Sequence, residues 1–152
     1  MKAILESFPD AELGPTKDGT SFARVPVARL LALVEWLRQN GVARFLDLTV
    51  VDDPERPDRF ELHYLFYAMS ERRWFRVKTR TSDEAPSIVP VFAAANWYER
   101  EAWDLFGVRF TGHPGLTRIL MPDDWQGHPL RRDHPLGDEP VDFTVTREIE
   151  GT

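Results

Sequence analysis

The sequence predicts an α+β fold: a two-layer domain with a mixed β-sheet packed by two main helices, followed by an extended Pro/Gly-rich C-terminal segment. Three observations predict it. A single apolar stripe of helical period falls between Val27 and Leu37, and a pair of aromatic-rich runs alternates with period two between Phe60 and Thr79. The composition then changes abruptly at Gly107. These features divide the chain into an α+β domain over 1–106 and an extended, partner-binding segment over 107–152 that carries Gly-His-Pro motifs.

Residues 21–25, SFARV, read as a short strand ending at Pro26. The helix that follows runs from about Pro26 to Asn40, with Val27, Leu30, Leu31, Val34 and Leu37 on one face. Proline suits its first turn, and Asn40-Gly41 supplies a left-handed cap at its end. The aliphatic run RFLDLTVV, 44–51, is a strand, and DDPERPD, 52–58, is a turn marked by two prolines.

Next comes a β-hairpin. Phe60, Leu62, Tyr64 and Phe66 alternate with Glu61, His63, Leu65 and Tyr67, and Phe75, Val77 and Thr79 oppose Trp74, Arg76 and Lys78. One face is therefore the more polar. The second helix follows the loop SDEAPSIVP, with Asn96 and Glu99 spaced as a capping box and Gly107 as its end. From Gly107 onward, 5 prolines and 6 glycines fall in 46 residues, leaving only RFTG and LTRILM as short strand candidates. So turn-rich a segment cannot make its own core; it wraps the domain or lies on another protein. Residues beyond about Asp123 offer few apolar anchors, and the expectation is that they are loosely held without a partner.

Composition removes several classes of function. No cysteine is present, which excludes disulfides, thiolate zinc sites, a cysteine nucleophile and all-Cys cluster ligation within this chain. The formal charge of −6 disfavours nucleic acid as a partner. No apolar run approaches the ~20 residues of a membrane span, and the N-terminus does not read as a signal peptide, so a cytoplasmic location is expected. Of the 19 basic residues 16 are arginines, which suits paired carboxylates at interfaces, although a GC-rich coding sequence produces the same bias. Neither a phosphate-binding glycine loop nor a Gly-x-Ser-x-Gly elbow occurs.

The stretch NWYEREAWDLFGVRF, 96–110, is the densest in chemistry. On a helix, Arg100 and Asp104 are four apart and can pair. Glu101 lies between Trp97 and Leu105, and Glu99 between Trp103 and Phe106, so both glutamates point into apolar arcs. A carboxylate placed there needs an arginine partner or has a raised pKa. Acid–base catalysis would require a second group, and no histidine lies on this helix; a di-metal site would require a Glu-x-x-His that is also missing. Three His-Pro dipeptides, at His113-Pro114, His128-Pro129 and His134-Pro135, could in principle supply three zinc ligands. Their position before proline favours instead bends locked by imidazole hydrogen bonds.

The run EREAWDLFGVRFTGHPGLTRILMPDDWQGHPLRRDHPL, 99–136, resembles the signature of the C (30 kDa) subunit of proton-pumping NADH:quinone oxidoreductase, respiratory complex I. FLDLTVVD, the aromatic hairpin and VPVFAAANWYERE also fit, so the resemblance covers roughly 20–140. Thr117 departs from the pattern, which usually carries Arg, Lys or Pro there. The resemblance implies a cofactor-free structural subunit of the hydrophilic arm, packed on the D (49 kDa) subunit and neighbouring subunits. Iron–sulfur clusters, FMN and quinone would then belong to partner chains. It further implies a peripheral place on the cytoplasmic side of the cell membrane, with no span of its own and no nucleic acid partner.

The signature and interface residues it marks are Glu99, Arg100, Glu101, Asp104, Phe106, Gly107, His113, Pro114, Arg118, Gly127, His128, Pro129, Arg131, Arg132 and Asp133. Glu99, Arg100, Glu101 and Asp104 are expected as ion-pair anchors, with Arg118, Arg131 and Arg132 as complements. Related subunits of other quinone-, ferredoxin- or F420-linked complexes and of membrane-bound hydrogenases are the alternative. A stand-alone metal-dependent hydrolase built on the same carboxylates and histidines is the competing class.

Overall fold

The computed structural model describes residues 2–17, 19–69 and 71–134; the expected segment from residue 135 onward lies outside the described residues. The chain order is α1 (Lys2–Ser7), β1 (Glu12–Pro15), β2 (Ser21–Arg24), a 3-10 turn (Val27–Arg29) and α2 (Leu30–Gln39). It continues with β3 (Val42–Asp52), β4 (Phe60–Ala68), β5 (Arg73–Thr81), β6 (Glu84–Pro86), α3 (Ala95–Phe106) and β7 (Arg109–Thr111). The main sheet has the order β1-β2-β5-β4-β3, with β2–β5 parallel and its other pairs antiparallel. It is the mixed sheet expected of the two-layer α+β fold. A small parallel pair, β6–β7, stands apart from it.

The hairpin fixes the register of the whole sheet. Leu62 faces Thr79, Tyr64 faces Val77 and Phe66 faces Phe75, and all but Phe75 are fully buried. Strand β3 continues that inner face, but a bulge between Phe45 and Asp47 shifts its register. The extra residue lets Phe45 and Leu48, three apart, both point inward opposite Phe66 and Tyr64. Helix α2 covers this face with Leu30, Leu33, Val34 and Leu37, and α3 covers it with Ala95, Glu99 and Ala102. Phe45 stacks edge-on against both Phe66 and Tyr98, at 5.7 and 5.3 Å between centroids, joining sheet to α3. Burying each such side chain contributes about 1.5–3 kcal/mol.

Leu30, Val34 and Leu37 hold their expected places in the stripe of α2. Val27 sits in the 3-10 turn, Leu31 is only half-buried, and Leu33 takes the core place. Gly41, at φ 90°, supplies the left-handed residue after the helix. The Asn96–Glu99 capping box does not form: α3 begins two residues earlier, at Ala95, with Ala94 as its N-cap, and no side chain caps it. LTRILM is not a strand, whereas RFT forms β7. Val108 and Phe110 join the core, so buried packing extends past Phe106. Among the described residues no helix is long and apolar enough to cross a membrane.

Candidate functional site

Helix α3 presents three carboxylates, and the structure treats each differently. Glu99 is fully buried. Its Oε2 accepts from Ser87 Oγ at 2.6 Å and its Oε1 from the Ile88 N–H at 2.7 Å. Burial raises its carboxyl to about 7, opposed by the Ser87 and Ile88 hydrogen bonds. The phenol of Tyr64, also fully buried, is pushed up by burial and by the neighbouring Glu99 charge. Glu99 is therefore not an ion-pair anchor: its partners are neutral, and it ties α3 to the segment after β6. Glu101 is exposed, contrary to its expected place in an apolar arc, because Trp97 beside it is itself 61% exposed.

Asp104 is buried and charged. Its Oδ2 accepts three consecutive backbone N–H groups, those of Ile119, Leu120 and Met121, at 2.8–2.9 Å. Its Oδ1 accepts from Arg118. Burial pushes this carboxyl up, but the three N–H donors and the guanidinium outweigh it and hold it at about 2. Arg118 reaches on to the carbonyls of Trp125 and Gly127 at 2.8 and 3.1 Å, with its guanidinium 5.6 Å from the Trp103 ring.

The expected Arg100–Asp104 pair does not form. Arg100 Nε and Nη2 donate to the carbonyls of Thr117 and Arg118, at 3.0 and 2.8 Å, and the guanidinium lies over Trp97. Position 117 thus contributes a backbone carbonyl, which any residue supplies, and its departure from the signature removes none of these contacts.

Residues 112–134 form a strap that wraps the domain. His113 Nδ1 accepts the Gly115 N–H at 3.0 Å, which leaves Nε2 to donate to the Asn96 carbonyl at 3.3 Å. His128 Nδ1 donates to the Asp104 carbonyl at 2.9 Å, and the Leu130 N–H donates to the Leu105 carbonyl. Both histidines lock bends as expected before Pro114 and Pro129. Pro114 is exposed; Pro129 and Phe106 are half-buried, Phe106 against the core. Gly107 ends α3 at φ 82°, and a Cβ there would come within 2.6 Å of the His128 ring, so close approach and backbone both require glycine. Gly127 also takes a positive φ, at a bend.

The end of the strap is fastened at the β3–β4 turn. Arg59 bridges Asp52 and Asp133, and Arg131 pairs Asp133 at 2.9–3.0 Å. The guanidinia of Arg131 and Arg59 hold Asp133 well below the usual carboxylate range, and Arg59 does the same to Asp52. Arg132 contributes its backbone N–H to Asp52 at 2.7 Å. Of the three expected complements to the helix acids, only Arg118 pairs with one. Arg131 and Arg132 serve the strap's far end, 27 or more residues along the chain from Asp104. Asp52 and Arg59 are not legible as site residues, because their partners on the strap, Arg132 and Asp133, lie 80 and 74 positions away. The His-Pro histidines do not converge, and no group of three acids or histidines suited to a metal ion occurs among the described residues.

The chain belongs to the respiratory-chain NADH dehydrogenase 30 Kd subunit family, whose model matches residues 23–140. It is 43% identical over 133 residues to the C subunit of the NADH-quinone oxidoreductase of Cereibacter sphaeroides, an alignment covering 84% of this chain and 66% of that protein. Identity is 42% to the C/D subunit of the same oxidoreductase from Methylococcus capsulatus, covering 79% of this chain but 23% of the relative. This chain therefore spans less than two thirds of either relative's length. Among solved structures, a chain of the membrane-bound sulfane sulfur reductase, an archaeal respiratory membrane complex, superposes with a TM-score of 0.78 at 27% identity. That match covers 89% of this chain and 83% of the other.

Proposed function

We infer that this chain is a structural subunit of the hydrophilic arm of a proton-translocating NADH:quinone oxidoreductase, supporting electron transfer from NADH to quinone without a cofactor of its own. The observation that carries the reading is the use to which the signature is put. Asp104, Arg118, Arg100, His113 and His128 are consumed in holding a strap against α3. Helix α3 and the strap fastened to it present apolar side chains at fixed positions: Trp97, on the helix, and Leu120 and Leu130, on the strap, are 61, 60 and 53% exposed. Exposed aromatic and aliphatic anchors on a rigid frame suit docking to another protein.

The partner on that surface is the D (49 kDa) subunit, with the other hydrophilic-arm subunits around it, peripheral to the membrane on its cytoplasmic side. The relative whose name joins C and D supports this choice, since sequence similar to this chain there shares one polypeptide with a much longer remainder. The test is purification of the complex through a tag on the 49 kDa partner from cells carrying Arg118→Ala. Assembled complex should fall several-fold, while quinone reduction per assembled complex stays near normal. Normal assembly with turnover lowered by about 10²–10⁴-fold would assign chemistry to the site instead. Absence of the wild-type chain from the purified complex would end the reading. A related membrane complex with another electron donor is favoured by one observation, the likeness to a chain of the sulfane sulfur reductase; NADH-driven quinone reduction by the purified complex decides between them.

A further inference from the structure

The helices cover one face of the five-stranded sheet, and the other face carries its own pattern. Phe22 on β2, His63, Leu65 and Tyr67 on β4, and Trp74, Arg76 and Lys78 on β5 alternate with the core residues and point away from it. Part of this face is internally neutralised. Glu61 receives Arg24 and Arg80 at 3.1 Å each and lies 3.4 Å from His63, and Arg24 also reaches Glu12. Beside it lies a stretch where, among the described residues, cations outnumber acids. A trough of about 450 Å³ lined by Lys17, Phe22, Arg76 and Lys78 continues into one of about 250 Å³ that shares His63 and Arg76 and ends at Asp47. The Lys78 ammonium rests 4.6 Å from the Phe22 ring. Among the described residues, three cationic side chains and one acidic one thus line the trough, on a chain whose total charge is −6. Beyond Leu65 the trough opens toward Tyr67 and the 53% exposed Trp74, stacked edge-on at 5.2 Å.

We propose that this open sheet face is a second docking surface, distinct from the strap, and that its occupant is an acidic, aromatic- or aliphatic-containing segment of another subunit. Charge complementarity selects the sign: clustered cations on an otherwise acidic protein focus a local positive potential. The apolar floor selects a polypeptide. Rings and an aliphatic side chain lie between the cations, giving side chains of alternating character a place to sit, and the trough is shallow and elongated rather than a closed pouch. The proposal rests on the chain being a subunit of a larger complex, as inferred above.

The chain has only three lysines, and Lys17 and Lys78 both line the trough, which makes a direct test simple. A zero-length carbodiimide joins a lysine amine to a carboxylate only when the two are in contact. Applied to the intact native complex, it should link Lys17 or Lys78 to an Asp or Glu of another subunit, identified by peptide mass spectrometry. The same lysines should acetylate at least tenfold more slowly in the complex than in the free full-length chain. Arg76→Glu with Lys78→Glu, checked for native circular dichroism, should cut the chain retained on the complex after a salt wash by more than tenfold. The conservative Lys78→Arg should retain it. If the chain is present in the complex but Lys17 and Lys78 give no cross-link and acetylate as fast as in the free chain, the docking face is refuted and the subunit reading stands. Retention of the charge-reversed chain at the normal level also refutes it, as does loss of the chain on nuclease treatment, which would make the occupant a nucleic acid. Absence of the chain from the complex refutes both.

Discussion

Replacing Asp104 by Asn keeps the shape of the side chain and deletes the charge on which the strap closes. One amide oxygen can still accept from the N–H groups of Ile119, Leu120 and Met121. The amide nitrogen then meets the Arg118 guanidinium, donor against donor, and leaves a cation only 13% exposed without its counter-charge. Removing one member of a buried pair typically costs about 3–5 kcal/mol, and the partial exposure of Arg118 argues for the lower end, about 3. The depressed carboxyl leads to a similar figure. The fall of the Asp104 carboxyl from its ordinary 3.8 to about 2 corresponds to about 2 kcal/mol of stability.

The sign follows from the depressed value. That stability is fully present above pH 3.8 and is lost as the pH falls through about 2. Urea unfolding at pH 7 and amide exchange at residues 119–121 measure the effect. If the strap and the domain unfold together, the urea midpoint should fall by about 1–3 M for a slope of about 1–3 kcal/mol per molar. If the strap opens alone, the midpoint should hold and exchange at the three amides should accelerate by about 10²-fold. In acid, wild type should lose its advantage over Asp104→Asn between pH 4 and about 2. An Asn variant matching wild type in both midpoint and exchange at pH 7 would refute the argument that this carboxylate holds the strap.

Other substitutions separate the remaining contributions. Glu99→Gln should be close to neutral at pH 5 and should stabilise by about 1–3 kcal/mol at pH 8, because the raised carboxyl contributes stability below 4.5 that is lost as pH rises through about 7. Destabilisation at both values, seen in urea midpoints, would restore an ion-pair role. Gly107→Ala forces a left-handed alanine, costing about 1–2 kcal/mol, and drives its Cβ into the His128 ring, so a total loss of about 2–3 kcal/mol by thermal or urea unfolding is expected. A loss under about 0.5 kcal/mol would show that His128 moves freely. Arg59→Ala leaves the buried Asp52 without its guanidinium and releases Asp133, so it should lower the urea midpoint and speed proteolysis within residues 125–134. Unchanged cleavage there would place the strap's hold elsewhere.

The parts of this fold legible in the sequence are those whose periodicity comes from a large buried face. The hairpin is the clearest, because Leu62, Tyr64, Phe66 and Val77 alternate without exception and are all fully buried. Helix α2 is legible in extent and in most of its stripe: Leu30, Val34 and Leu37 are buried as expected, and Leu33, on their face at 100° per residue, replaces Leu31. Strands β1 and β6 and helix α1 are 4, 3 and 6 residues long and carry no period. They exist because distant partners complete them; β6, for example, is made by β7. A residue-by-residue reading has no access to that. The segment past Asp123, expected to be loosely held, is tied to the domain up to His134. Its ties are polar contacts with Asp104, Leu105 and Arg59 rather than apolar anchors, and hydrophobic counting does not register those.

Glu99 and Asp104 show why the site is harder to read than the fold. Five residues apart on one helix, both carry no exposed surface, and any scale based on burial alone would treat them alike. What separates them is the number and kind of donors that non-local chain delivers. Glu99 receives one hydroxyl and one N–H, which do not offset desolvation, and its carboxyl rises to about 7. Asp104 receives three aligned N–H groups and a guanidinium, which do offset it, and its carboxyl falls to about 2. Helical period carries no information about those donors, and it also places Glu101 in an apolar arc that solvent occupies. The signature motif is better understood as the two halves of one fastening. WDLFG supplies an acceptor at the helix end, and TRILM supplies the cation and three consecutive donors that close on it. Four donors and a carboxyl held at about 2 commit Asp104 to this fastening, and that commitment makes the end of α3 the strap's anchor.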